Sequence, residues 1–167
     1  MPKFTEPNYN IKSLTIRNAH VRYRNFGGGR YGREITLQID DPEIAQEMAN
    51  DGWPVRTIIP EDPKFDPRYQ MRVAISFRDR EGHIFDENDT RLPHVYMCTR
   101  KRKHELNEDT IARLDRAELD KVDLTIRARW WENEEGWHIK AFLSRLYATI
   151  CEDDLDAEYA EQEYPEE

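Results

Sequence analysis

Residues 122–143 read VDLTIRARWWENEEGWHIKAFL, and this stretch decides the fold. Val122, Leu124, Ile126, Ala128 and Trp130 alternate with Asp123, Thr125, Arg127, Arg129 and Trp131, the two-residue period of a half-buried strand. Residues 132–136 have the polar, glycine-ended composition of a hairpin turn. Residues 137–143 resume the alternation, so the stretch predicts a β-hairpin with one face turned to a core. The same period recurs upstream. Tyr69, Met71, Val73, Ile75 and Phe77 share one face of a strand, with Gln70, Arg72, Ala74 and Ser76 on the other. Residues 14–26 form a strand whose phase changes: Leu14 and Ile16 have one parity, and Ala19, Val21 and Tyr23 the other. One extra residue near Asn18 reconciles them, which is a β-bulge. Strands over 33–39, 55–59 and 94–99 complete the set.

Two short helices interrupt the strands. Asp41 caps the first, with Pro42 at its first position, Ile44 and Met48 facing inward, and Gly52 as its stop. Asn107 caps the second, where Leu106 and Ile111 are spaced as a hydrophobic staple. Residues 60–68 hold three prolines and read as a loop. The pattern predicts a mainly β protein, an OB-like β-barrel with two short inserted helices, because that barrel accepts a helix between strands. A β-sandwich is the alternative. The 167 residues suit one domain, expected over 1–150, followed by a disordered acidic tail over 151–167. No window approaches the ~18 apolar residues of a membrane span, and the N-terminus lacks a secretory leader. Two cysteines, Cys98 and Cys151, make no disulfide framework, so a cytoplasmic setting is expected.

The net charge of −9 conceals an uneven distribution. Residues 151–167 hold nine acids and no base, while residues 1–150 hold 25 of each sign. Within that neutral body residues 1–35 sum to +5, 36–66 to −6, 67–104 to +4, 105–123 to −4 and 124–150 to +1. Sorted charge of this kind describes a bipolar molecule with one face suited to anions.

Enzyme signatures are missing: there is no GxxxxGK[ST], HExxH or GxSxG. Gly27-Gly28-Gly29 has no following Lys-Ser/Thr and reads as a hairpin loop. His94 and Cys98 share a strand face, but no metal spacing accompanies them, and neither metal nor cofactor is expected. Asp86, Glu87 and Asp89 read as a solvated turn. The outward strand faces say more. With Ala19, Val21 and Tyr23 inward, Arg22, Arg24 and Phe26 point outward; so do Arg127, Arg129 and Trp131, and Lys140 and Phe142 on the next strand. Arg72 precedes the small Ala74 and Ser76, which lets a flat group approach the backbone. Arg30, Tyr31 and Arg33 follow the glycines, and Arg100, Lys101, Arg102 and Lys103 form a basic cluster after a strand. Cations interleaved with aromatic rings are what single-stranded nucleic acid requires, since the charges follow phosphates and the rings accept unstacked bases of any sequence. These sixteen residues form the expected binding set.

Several stretches also resemble a known family. Arg22-Tyr23-Arg24-Asn25-Phe26, Ile39-Asp40-Asp41-Pro42-Glu43, Asp51-Gly52-Trp53-Pro54-Val55-Arg56, Ala117-Glu118-Leu119-Asp120-Lys121-Val122-Asp123-Leu124 and Gly136-Trp137-His138-Ile139-Lys140-Ala141-Phe142-Leu143 follow in an order similar to that of phage and prophage OB-fold single-stranded DNA-binding proteins. The resemblance implies a non-enzymatic role in replication or recombination, coating exposed strands and recruiting partner proteins through the tail. Such tails typically end in an aromatic residue, whereas this chain ends Tyr164-Pro165-Glu166-Glu167. A protein-interaction module is the competing expectation, a phage-encoded inhibitor whose acidic segments imitate DNA to a host nucleic-acid enzyme. A homo-oligomer is compatible with either.

Overall fold

The structure, a computed structural model, describes residues 4–29 and 32–151. Its strands are β1 (Ser13–Ile16), β2 (His20–Asn25), β3 (Arg33–Ile39), β4 (Arg56–Ile58), β5 (Arg68–Ile75), β6 (His94–Cys98), β7 (Lys103–Leu106), β8 (Leu119–Asn133) and β9 (Gly136–Ile150). The helices are α1 (Pro42–Asp51), between β3 and β4, and α2 (Arg113–Arg116), between β7 and β8. The ladder runs β1-β8-β9-β5-β3-β2. Its two ends are consecutive in the chain, because β1 and β2 are the halves of one bent strand. Asn18 takes the left-handed conformation at the bend, φ 51°. The Ala19 N–H donates to the Val122 carbonyl at 2.7 Å, so the bend stays attached to β8 while β2 crosses to β3. The path thus returns to its start, and five strands enclose the core as a partly open barrel of OB type. β5 and β9 meet in parallel at Ala74 and Phe142, β4 pairs antiparallel with the first residues of β5, and the β6–β7 hairpin is added to the far edge of β9.

Alternation fills the interior as expected. Met71, Val73, Ile75 and Phe77 from the β5 segment, and Val122, Leu124 and Ile126 from β8, are buried. The hairpin is tighter than expected: β8 runs on to Asn133, which pairs with Gly136 across a two-residue turn. Gly136 has φ 119°, and a Cβ there would lie 2.5 Å from the Phe4 carbonyl oxygen, so both the turn and the docking of the N-terminal segment require glycine.

α1 forms where expected. The Asp41 side chain accepts from the Glu43 N–H, Pro42 opens the helix and Gly52 ends it with φ 109°. Its buried residues are Ala45 and Met48; Ile44 lies half exposed, one residue off the contact stripe. The second helix is shorter than its cap suggests. Asn107 Oδ1 accepts from the Asp109 and Thr110 N–H groups, but turns occupy residues 108–112 and only Arg113–Arg116 are helical. β7 was not expected.

The strand over 20–26 corrects three assignments. Tyr23 takes a positive φ of 50°, and the β2–β3 register slips between Arg22 and Asn25. This second irregularity reverses the faces beyond it. Tyr23 is exposed, and Phe26, expected outside, is a fully buried core residue. Arg24 turns under α2, donating through Nη1 to the Leu114 and Ala117 carbonyls at 2.8 and 2.7 Å. A fourth assignment fails on parity. Arg33 shares the face of Ile35 and Leu37, so it closes the barrel end, 5.6 Å from the Phe77 ring centroid and 3.9 Å from Glu108. The tail from 152 onward lies outside the described residues, as do Arg30 and Tyr31.

Candidate nucleic-acid interface

The outer face of the β8–β9 hairpin is built by its register. Arg127 opposes Phe142, Arg129 opposes Lys140 and Trp131 opposes His138, so cations and rings share one face of the ribbon. The Arg127 guanidinium lies 4.6 Å from the Phe142 ring centroid and Lys140 Nζ lies 5.2 Å from it. Phe142 is therefore buried without joining the barrel core: cations cover it from outside. Trp131, 43% exposed, tilts against His138 with centroids 4.8 Å apart. The His138 ring is held in turn by Asn133 Oδ1, 2.8 Å from Nε2.

β5 adjoins this ribbon through Ala74, opposite Phe142. Arg72 lies on the same outer face, 3.8 Å from Glu34 of β3, and the small Ala74 and Ser76 leave the floor low. Arg22, further along on β2, donates to Gln38 Oε1 at 2.9 Å and lies 5.5 Å from the Tyr23 ring centroid. Arg100, Lys101, Arg102 and Lys103 belong to the separate β6–β7 turn and its first strand residue, where the Thr99 N–H donates to the Arg102 carbonyl.

Residues 78–92 supply a wall that the sequence reading missed. An antiparallel bridge between Arg78 and Ile84 folds this segment back, and the Phe85 N–H donates to the Phe77 carbonyl. Arg78 is fastened at its base by Glu108, Nη2 to Oε1 at 2.7 Å, which raises the arginine's pKa and holds the Glu108 carboxyl below its usual range. Asp89 is not a solvated carboxylate: Arg91 donates to it through Nε and Nη2 at 3.0 and 2.8 Å, and its pKa falls to about 2. The Arg91 guanidinium stacks 4.5 Å from the Phe85 ring centroid. Only the composition of the segment, arginines around one phenylalanine, hinted at this; its approach to β8 is a long-range contact.

Between wall and ribbon runs a groove of about 610 Å³, lined among others by Ser76, Arg78, Phe85, Arg91, Arg127, Arg129 and Phe142, with Asp79 and Glu81 on the wall side. A second groove of about 630 Å³, reaching Tyr9 and Lys12, shares Arg127 and Arg129 with the first. Arg127 lies at their junction. Its Nε is buried and has no hydrogen-bond partner. Burial, reinforced by the Arg129 and Arg91 charges, pushes its pKa down. Such a cation gains from a bound anion what the protein does not give it.

A barrel of OB type whose outer face sets arginine and lysine against aromatic rings belongs to the class of single-strand nucleic-acid-binding barrels. The chain belongs to the family described as "Putative phage ssDNA-binding domain", whose model matches residues 5–167. Its fold is similar to that of the single-stranded DNA-binding protein from bacteriophage Enc34, at 14% identity over 92% of each chain with a TM-score of 0.51. The structure of that phage protein in complex with ssDNA matches at 14% identity and a TM-score of 0.51, covering 90% of this chain and 97% of that one. At this identity the likeness is one of fold. Among curated proteins none matches the sequence.

Proposed function

We propose that the protein binds single-stranded DNA with little sequence preference, along the groove bordered by Arg127, Arg129, Lys140, Phe142 and Trp131, in support of phage replication or recombination. The family supplies the class of ligand, and Arg127 carries the assignment of the site: a half-buried guanidinium with an unpartnered Nε, beside two further arginines, facing a groove. Phosphates answer that charge. Trp131 offers a ring face to unstacked bases, every base having a face to offer in return, while Phe142 seats the Arg127 and Lys140 cations beside the groove. The ribbon has no helix placed for a major groove, so duplex is the poorer ligand.

Titration of matched single strands and duplex at several salt concentrations tests the proposal. With about five phosphates contacted, log K should fall with log salt at a slope near −3.5, from ~0.7 per phosphate. Equal affinity for duplex and single strand would overturn it.

A further inference from the structure

The outer face of the β8–β9 ribbon continues past Phe142. A register shift at Ser144 resets β9, so that Arg145 and Tyr147 oppose Thr125 and Asp123, which share the parity of Arg127 and Arg129. β6 extends this face sideways, with His94 beside Arg145 and Tyr96 beside Tyr147. The two tyrosine rings stack 4.9 Å apart at an interplanar angle of 13°. Lys103 Nζ lies 4.8 Å from the Tyr96 centroid and 5.7 Å from that of Tyr147. Arg145 Nη1 donates to the Tyr147 hydroxyl at 3.3 Å. Neither tyrosine belongs to the barrel core. The neighbouring acids are already engaged: Glu105 lies 3.0 Å from His94 Nδ1, and Asp123 accepts from the Asn18 N–H and lies 3.5 Å from Lys121. A stacked aromatic pair outside the core, attended by two cations, has the composition of a base-stacking platform.

We propose that Tyr96, Tyr147, Lys103 and Arg145 form a second platform for the same DNA strand, reached along β9 from the Arg127 groove. The inference rests on the groove reading above and extends it: binding then has two centres, and the second counts only for a strand long enough to reach it. From Phe142 to Tyr147 the strand advances roughly 17 Å at ~3.3 Å per residue.

The test titrates the full chain and its variants with oligothymidylates of about 5 and about 15 nucleotides, the span of site sizes known for such barrels. Tyr147→Ala and Lys103→Gln should weaken the longer ligand about tenfold and leave the shorter one within about twofold. Tyr147→Phe, which keeps the ring, should match the unaltered protein on both. Arg127→Gln should weaken both lengths. The platform is overturned if Lys103→Gln and Tyr147→Ala bind the longer strand normally, or if they lose equally on both lengths. Should Tyr147→Ala melt early, Lys103→Gln decides, since it removes only an exposed cation. Failure of the groove reading looks different: Arg127→Gln would then be silent at both lengths while the length-selective loss in Tyr147→Ala persisted.

Discussion

Single residues divide here by what their side chains already touch. Arg24 and Arg127 are both arginines on alternating strands, yet Arg24 is spent on two backbone carbonyls and Arg127 leaves an Nε unpartnered. Arg127→Gln should therefore weaken single-strand binding and make the salt slope shallower by ~0.7, one phosphate contact. Fluorescence titrations at three salt concentrations give both numbers. Trp131→Ala should cost ~1–3 kcal/mol of binding, the usual value of a stacking platform, with the melting temperature nearly unchanged. Phe26→Ala should do the reverse, removing about 3–5 kcal/mol of stability because it empties a fully buried site. A Trp131→Ala protein that melts early but binds normally would mean the ring is structural.

Elements owe their placement to a few polar ties between distant segments. Asp115, at α2, accepts from the Phe26 and Gly27 N–H groups at 2.7 and 2.8 Å, fixing the end of β2 after its register slip. Asp115→Ala should cost about 1–3 kcal/mol of stability, because it strands two donors; denaturant unfolding measures it. The wall over 78–92 has an acid-sensitive tie. Asp89 titrates at about 2 in the fold against an ordinary carboxyl near 3.8, a depressed value. Its contribution is complete above about pH 4 and disappears as pH falls through 2. Melting temperature should drop across that window, and Asp89→Asn should flatten the part of the drop that belongs to this residue. The alternation that placed β5, β8 and β9 was plain in the sequence because each strand buries one face. The wall was not, since its ties join residues such as Arg78 and Glu108 that no local pattern connects.

At the scale of the whole molecule, a neutral body joins a segment with nine acids and no base at 151–167. Fully extended, 17 residues reach at most ~60 Å, far enough for that charge to visit the groove of its own chain. A chain ending at Ile150 should therefore bind single strands more tightly than the full chain, and the gap should narrow as salt screens the attraction. Titrating both forms on one oligonucleotide at two salt concentrations measures the effect. Equal affinities would leave the acidic segment to solubility or to partner proteins.

Local period and charge were enough to give most of the strands, though not β7 or β9 beyond Leu143, together with the capped first helix, the inward faces of β5 and β8 and the cation-aromatic composition of Arg127, Arg129, Trp131, Lys140 and Phe142. Those properties depend on neighbours two to four residues away, and the chain carries them wherever it folds. Which arginines stay available was decided elsewhere. The positive φ at Tyr23 sent Phe26 into the core and Arg24 under α2, and the shift at Ser144 carried Tyr147 onto the outer face. One residue of register reverses every side chain beyond it, and register is set by the partner strand, which the local sequence does not contain.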